Sequence, residues 1–364
     1  MRFQIRTGIG ISLAAGLLGG VIVARSAEDA VFSSEVAVVN VLASVRDKQG
    51  GLVADLEKED FILNENGEKQ TIRYFARQSD LPLTIGLLVD TSLSQRNLLP
   101  AERAAGRRFF EQVLRPNKDL AFVLAFDYHA TLYQDLTGSL RELEDALGGL
   151  ETPPPPVYRR RFAGSGFQFP FPVPGGTGQG QGGRGGSTNN GGWGGQRPSS
   201  RGGGRGVGTV MYDSVYLAAK DVLANRTGRK AVILISDGVD LGSKIDIEGA
   251  VEAALRSETA VYSIRYYDRA AYGGRGVIML GGPNGKGPLR KLSEKTGGAM
   301  FEVSNKLSLD DIFARIEEEL RSQYSIGYTP TEGAEPGEFR EIRLRTKNKK
   351  LKVFTRDGYY AGGS

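Results

Sequence analysis

Cysteine is absent from the 364 residues, and histidine occurs once. No disulfide can staple this chain in any compartment, so its stability has to come from packing. A Cys/His zinc site is excluded for want of ligands. A Ser-His-Asp triad is left with one candidate base, His129, which lies between two strand-like runs and reads as a turn residue. No G-x-S-x-G occurs. The glycine-rich stretch at 281–287 lacks the G-K-[ST] ending of a phosphate loop and is expected to be a mobile surface loop. Nothing here points to autonomous catalysis.

Acidic residues are missing from two stretches. The first 27 residues contain none; Arg2 and Arg6 precede an apolar run over 9–24, with small residues at Ala24 and Ser26. This reads as an export leader, either a cleaved signal peptide or an uncleaved single-span anchor, and places the remainder in the periplasm, cell envelope or exterior. Without a cysteine behind it, a lipoprotein anchor is excluded. Residues 152–208 also lack Lys, Asp and Glu; they begin with four prolines after Thr152 and hold 19 glycines, seven arginines and the lone Trp193. So few aliphatic side chains cannot build a core, and the segment is expected to be disordered. The formal charge of +5 is an effect of these two stretches, because without their ten arginines the rest carries −5. The Arg-Gly-aromatic mixture would suit single-stranded nucleic acid in another setting, but the balance of charge does not support a nucleic-acid partner.

Around the glycine-rich segment, apolar runs alternate with amphipathic stretches. Strands are expected at 83–89, 120–126 with a continuation at 130–136, 231–235, 260–266 and 299–303, and helices at 98–114, 139–147, 212–223, 247–255, 288–295 and 309–322. The run at 83–89 is nearly all apolar, as a strand buried on both faces should be. The flanks differ: short alternating runs at 36–45, 61–64 and 71–75, then at 324–328, 339–345 and 351–355, are separated by turn signals such as Asn66-Gly67. Neither flank has enough strands for a core of its own. The expected fold class is therefore α/β, a doubly wound, mostly parallel sheet flanked by helices over 81–322. It is interrupted at 152–208 and inserted in a β-sandwich-like domain formed by 34–80 and 323–361.

The chemistry concentrates at strand ends. Directly after the first buried strand comes Asp90-Thr91-Ser92-Leu93-Ser94, a D-x-S-x-S pattern. One carboxylate and two hydroxyls at alternate positions can turn three oxygens to one point, and oxygen-only ligation with water suits Mg²⁺. By itself the pattern serves equally well to cap the following helix. Two further residues shift the balance: Thr209 opens the helix after the glycine-rich segment, and Asp237 ends the strand at 231–235. Both fall on the carboxyl edge of the sheet, where open α/β sheets bind ligands. Asp240, Asp246, Asp310 and Asp311 are expected to cap helices or face solvent.

As a set, Asp90, Ser92, Ser94, Thr209 and Asp237 resemble the metal-ion-dependent adhesion site of von Willebrand factor type A domains, as found in integrin I domains. The flanking Val45-Arg46-Asp47, Asp60-Phe61, Gln323 to Tyr328 and Gly358-Tyr359-Tyr360 are similar to the related proteins described from Acidobacteria. The resemblance implies Mg²⁺ or Mn²⁺ held directly by Ser92 and Ser94, directly or through water by Thr209, and largely through water by Asp90 and Asp237. It further implies a protein partner whose Asp or Glu completes the shell, and no catalysis. Two alternatives stay open: a recruiting subunit of an enzyme complex, as in metal chelatases, and an envelope scaffold with a vestigial metal site. The departure from the family pattern is the insertion, which ends immediately before Thr209.

Overall fold

A computed structural model describes residues 38–78, 81–154, 208–268, 285–331 and 333–362. The leader, nearly all of the glycine-rich segment and the first part of the 281–287 stretch lie outside the described residues.

The strand β5 (Leu83–Asp90) is buried at every position and sits inside a six-stranded sheet. Its partners are β6 (Leu120–Phe126) on one side and β8 (Arg229–Ser236) on the other, both parallel to it. Beyond β8 lie β9 (Thr259–Arg265) and the short β10 (Met300–Glu302), also parallel, and beyond β6 lies the antiparallel edge strand β7 (Ala130–Thr137). The order β10-β9-β8-β5-β6-β7 reverses direction at β5 and β8, which is the topological switch point of the sheet. Gly86 in β5 is required by a close approach: a Cβ there would lie 2.2 Å from the Phe122 ring of β6.

Alternation along the strands divides the core in two. Leu83, Ile85, Leu87 and Val89 pack with α1 (Leu99–Val113), α2 (Leu140–Gly148) and α6 (Leu309–Arg321). Leu88, Val232 and Leu234 pack with α3 (Met211–Leu217), α4 (Ile247–Arg256) and α5 (Lys286–Thr296). Helices on both faces explain why these strands read as continuous apolar runs. Local chemistry sets the ends. Ser139, Asp246 and Ser308 accept bonds from the first turns of α2, α4 and α6, and left-handed Gly297 closes α5. Asp311 completes a capping box with Ser308, Asp310 pairs with Arg108, and Asp240 accepts the Tyr212 amide at the start of α3. The helix expected at 212–223 is not uniform, since after Leu217 it widens into a π-helical turn, Ala218–Leu223, whose Ala218, Ala219 and Leu223 are buried. The helix expected at 288–295 starts earlier, at Lys286.

The flanking strands build two four-stranded antiparallel sheets, each mixing both ends of the chain. One has the order β13-β1-β11-β4, from Lys352–Thr355, Val39–Arg46, Gln323–Tyr328 and Ile72–Gln78; the other has β14-β12-β2-β3, from Gly358–Tyr360, Phe339–Thr346, Phe61–Glu65 and Glu68–Gln70. The hairpin β2–β3 turns on Asn66 and Gly67 at φ 47° and 87°, as the Asn-Gly signal requires. A shared core of Val41, Val45, Phe61, Leu63, Tyr324, Ile326, Tyr328, Ile342 and Leu344 joins the two sheets.

One buried ion pair ties this β part to the α/β part. Glu319 of α6 is fully buried and accepts from Ser44 Oγ at 2.8 Å, Arg46 Nε at 3.1 Å, Arg46 Nη2 at 2.5 Å and Tyr262 Oη at 3.0 Å. Removing the carboxylate leaves the guanidinium buried without its counter-charge, which costs about 3–5 kcal/mol. Glu319→Ala is accordingly expected to lower the urea midpoint by that much stability, whereas Glu59→Ala, at an exposed acid, should move it little; equal midpoints for the Glu319 variant and wild type would contradict this role.

Candidate functional site

Because β5 and β8 pair in parallel with Val89 opposite Ile235, their carboxyl ends finish side by side. Asp90 is the last residue of β5 and Asp237 follows Ser236, the last of β8. The two carboxylates are almost fully buried. Asp90 Oδ1 accepts the Ser92 amide at 3.0 Å, and its Oδ2 accepts Ser236 Oγ at 2.6 Å. Ser92 Oγ and Ser94 Oγ are 3.1 Å apart, and Ser94 Oγ donates to Asp237 Oδ2 at 2.8 Å. Asp237 Oδ1 accepts the Val239 amide at 2.9 Å. Side-chain hydrogen bonds thus link Ser92, Ser94 and Asp237 in one chain of contacts, with Asp90 joined to it through the Ser92 backbone.

Thr209 reaches this edge through its backbone. Its carbonyl accepts from the amides of Leu241 at 3.1 Å and Gly242 at 3.0 Å, in the loop that follows Asp237, while the Val210 amide donates to Asp127 O at 2.8 Å in the loop after β6. The segment bridges two strand-end loops. Gly238, at φ 85°, lets that loop pass against Gly285, whose carbonyl would be 2.3 Å from a Cβ at this position.

Burial, and then the charge of Asp237, pushes the Asp90 carboxyl up to about 7, against the smaller opposing effect of its bonds from Ser236 and Ser92. A third carboxyl adds to the problem. Glu102, in the first turn of α1, is 1% exposed, and neither of its oxygens has a hydrogen-bond partner among the described residues. Burial, with Asp90 and Asp237 adding to it, raises Glu102 well above the carboxylate range. Gln95, just after Ser94, is also fully buried, and neither of its amide atoms has a partner among the described residues. Buried polar groups are nearly always satisfied, so this corner of the fold is built around polar groups with more bonding capacity than the described residues use.

Sequence reasoning missed Ser236, Gln95 and Glu102. A signal for Glu102 existed, since it lies on the stripe Leu99, Glu102, Gly106, Phe109, Val113 that α1 buries. His129 is exposed and its amide donates to Asp127 Oδ1 at 3.1 Å, in keeping with a turn. Among the described residues no group of three or more His, Cys, Asp or Glu side chains is placed to hold a metal. The candidate set has two carboxylates and depends on hydroxyls for the rest, a set of oxygen donors that fits a hard, partly hydrated dication.

A carboxyl whose folded value lies above its ordinary 3.8 stabilises the fold at low pH, and that contribution is lost as pH rises through about 7. The metal-free protein, held in EDTA, is therefore expected to lose stability between about pH 4 and pH 7 from Asp90, with Glu102 acting in the same direction. Asp90→Asn should flatten that slope in thermal melts across the range, and an unchanged slope would show that the carboxyl is not buried as described.

No family model matches the sequence, and no curated protein matches it. Among solved structures, the chain is similar to an aerotolerance-related membrane protein from Bacteroides fragilis, at 13% identity over 66% of this chain and 98% of that one, with a TM-score of 0.38. It is similar to the conserved hypothetical protein BatB from Bacteroides thetaiotaomicron, at 16% identity over 67% and 100%, with a TM-score of 0.37. A third is proximal thread matrix protein 1 from the mussel byssus, solved with a zinc-occupied MIDAS motif, at 14% identity over 71% and 50%, with a TM-score of 0.41.

Proposed function

We propose that this chain is a metal-dependent protein-binding module of the von Willebrand factor A type. In this reading Asp90, Ser92, Ser94, Thr209 and Asp237 hold one Mg²⁺ or Mn²⁺, and an Asp or Glu of a protein partner completes the shell. The observation that carries the reading is the pair of buried carboxylates at the switch point, with hydroxyls between them and a third buried carboxyl behind. A dication there relieves the cost of burying like charges. The ion's chemistry is that of a Lewis acid for a carboxylate, and the chain's residues orient it through Ser92, Ser94 and the Asp90–Ser236 bond; the reading contains no catalytic step.

Two apolar residues rim the site: Leu93, between the two serines, is 45% exposed, and Leu241 is 64% exposed. Arg96 and Arg103, with one carboxylate, Glu151, line a groove that begins at Leu93. A partner acid flanked by apolar and further acidic residues matches this surface. Thr152, Pro153 and Pro154 line the same groove, and Gly208 lies beside Leu241. Export to the periplasm or cell envelope is part of the proposal and is supported by the composition of the first 27 residues. Among the described residues no helix is long and apolar enough to cross a membrane. The likeness of the flanks to the Acidobacterial proteins rests on the quoted motifs.

Isothermal titration of the purified protein is expected to give one Mn²⁺ or Mg²⁺ per chain. Ser92→Ala or Asp237→Ala should weaken it by about tenfold or more. Equal affinity in wild type and an Asp90→Ala, Ser92→Ala double variant would falsify the assignment.

A further inference from the structure

At the amino ends of the parallel strands, on the edge of the sheet opposite Asp90, lies a cavity of about 270 Å³. It opens between the starts of β8 and β9, the ends of α4 and α5, and the β part, which contributes Asn40 from β1, Gln323 from β11 and Arg356 from the turn between β13 and β14. Three cationic side chains, Arg229, Lys230 and Arg356, line it against a single carboxylate, Glu258. The exposures of the three cations are 1%, 9% and 9%, whereas the Glu258 side chain is 58% exposed.

The bonds of these cations differ. Arg229 is turned toward carbonyls, donating to Leu320 O at the end of α6 and to Leu81 O at 3.2 Å. Arg356 bonds Glu258 Oε1 at 3.0 Å and Asn40 O at 2.8 Å, and its buried Nε has no hydrogen-bond partner among the described residues. Lys230 Nζ donates to Arg226 O at 2.9 Å and forms no ion pair among the described residues. An ammonium carries three donors, so two remain. Burial holds Lys230 below its ordinary value, with Arg356 adding to the shift and Glu258 opposing it, and burial with Arg321 and Arg115 pushes Arg229 down to about 10. A buried charge is costly unless a counter-charge accompanies it. Asp119 faces Arg229, so the half-exposed Glu258 is the counter-charge that Lys230 and Arg356 share, and one carboxylate for two buried cations leaves part of that requirement unmet.

We propose that this cavity binds a small oxyanion of the phosphate or sulfate class, held by Lys230 and Arg356 at the seam between the α/β and β parts. The volume is just below the range of about 300–1,000 Å³ usual for ligand pockets, which suits a small ion with its water and not an extended ligand. The charge and the spare donors point the same way, since an oxyanion accepts several hydrogen bonds at once. Because Asn40, Gln323 and Arg356 belong to the β part while Arg229, Lys230 and Glu258 belong to the other, a bound anion contacts both and stabilises their union by mass action. The site lies at the opposite sheet edge from the proposed metal and is independent of it.

The test uses the full chain in EDTA, so that the metal reading plays no part. Chloride is exchanged for inorganic phosphate at constant ionic strength, and a parallel arm uses glycerol phosphate to tell a free ion from a phosphate ester. The melting temperature is expected to rise and saturate with phosphate, and titration calorimetry to give one anion per chain. Lys230→Met should abolish the rise. Glu258→Gln, which keeps an oxygen to accept from Arg356, should tighten phosphate several-fold by removing the competing carboxylate. A melting temperature that follows chloride and both phosphates alike overturns the proposal, as does unchanged phosphate affinity in Glu258→Gln.

Discussion

Two parallel strands that are buried on both faces and end side by side in carboxylates set the terms for this molecule. A strand at the middle of a doubly wound sheet has no wet face, so the side chain that ends it stays in a low-dielectric setting. Asp90 and Asp237 share that setting because β5 and β8 are paired in register. The surroundings are arranged accordingly: Ser236 and the Ser92 amide face one carboxylate, Ser94 and the Val239 amide the other. Gly238 lets its loop pass against Gly285, and 209–210 hydrogen-bond to two strand-end loops.

Much of this was legible because it rests on patterns with a short physical explanation. The apolar runs of β5 and β8 mark strands covered twice, the alternating runs of the flanks mark sheets covered once, and Asp90 and Asp237 are readable because each directly follows such a run. What stayed hidden were charged side chains whose burial depends on partners far away in sequence. Lys230 and Arg229 look like the solvated start of a strand, yet β8 begins with them, because the ends of α6 and the loop at Leu81 bring carbonyls to the Arg229 guanidinium. Glu102 and Glu319 each sit on the inward stripe of a helix, and periodicity alone places both inside. An acid in such a stripe reads as an exception to be turned outward, and here the exceptions are the informative residues. The strand pairing of the flanks was open too: that β1 lies between β11 and β13 follows from no local signal.

Polar contacts join the two parts of the fold. Glu319 collects Ser44, Arg46 and Tyr262; Arg356 connects Asn40 with Glu258; and Lys295 pairs with Asp357. Buried ionic contacts of this kind add less net stability than their number suggests, because desolvation offsets the attraction. They do fix relative orientation, since a misplaced pair leaves both members stranded. The exposed pair Lys295–Asp357 contributes little by comparison.

The pairing of β1 with strands from the far end of the chain also sets a schedule. Ser44 and its partner Glu319 are 275 residues apart, and β1 lies between strands that begin at Gln323 and Lys352. As the chain is made, β1 is among the first strands to appear and among the last to acquire neighbours, while β5, β6 and the helix between them close over short loops. Contacts of such long separation form late and slow the completion of a fold. For most of its synthesis the chain therefore carries an apolar strand with both edges open, the kind of segment on which nascent-chain chaperones act.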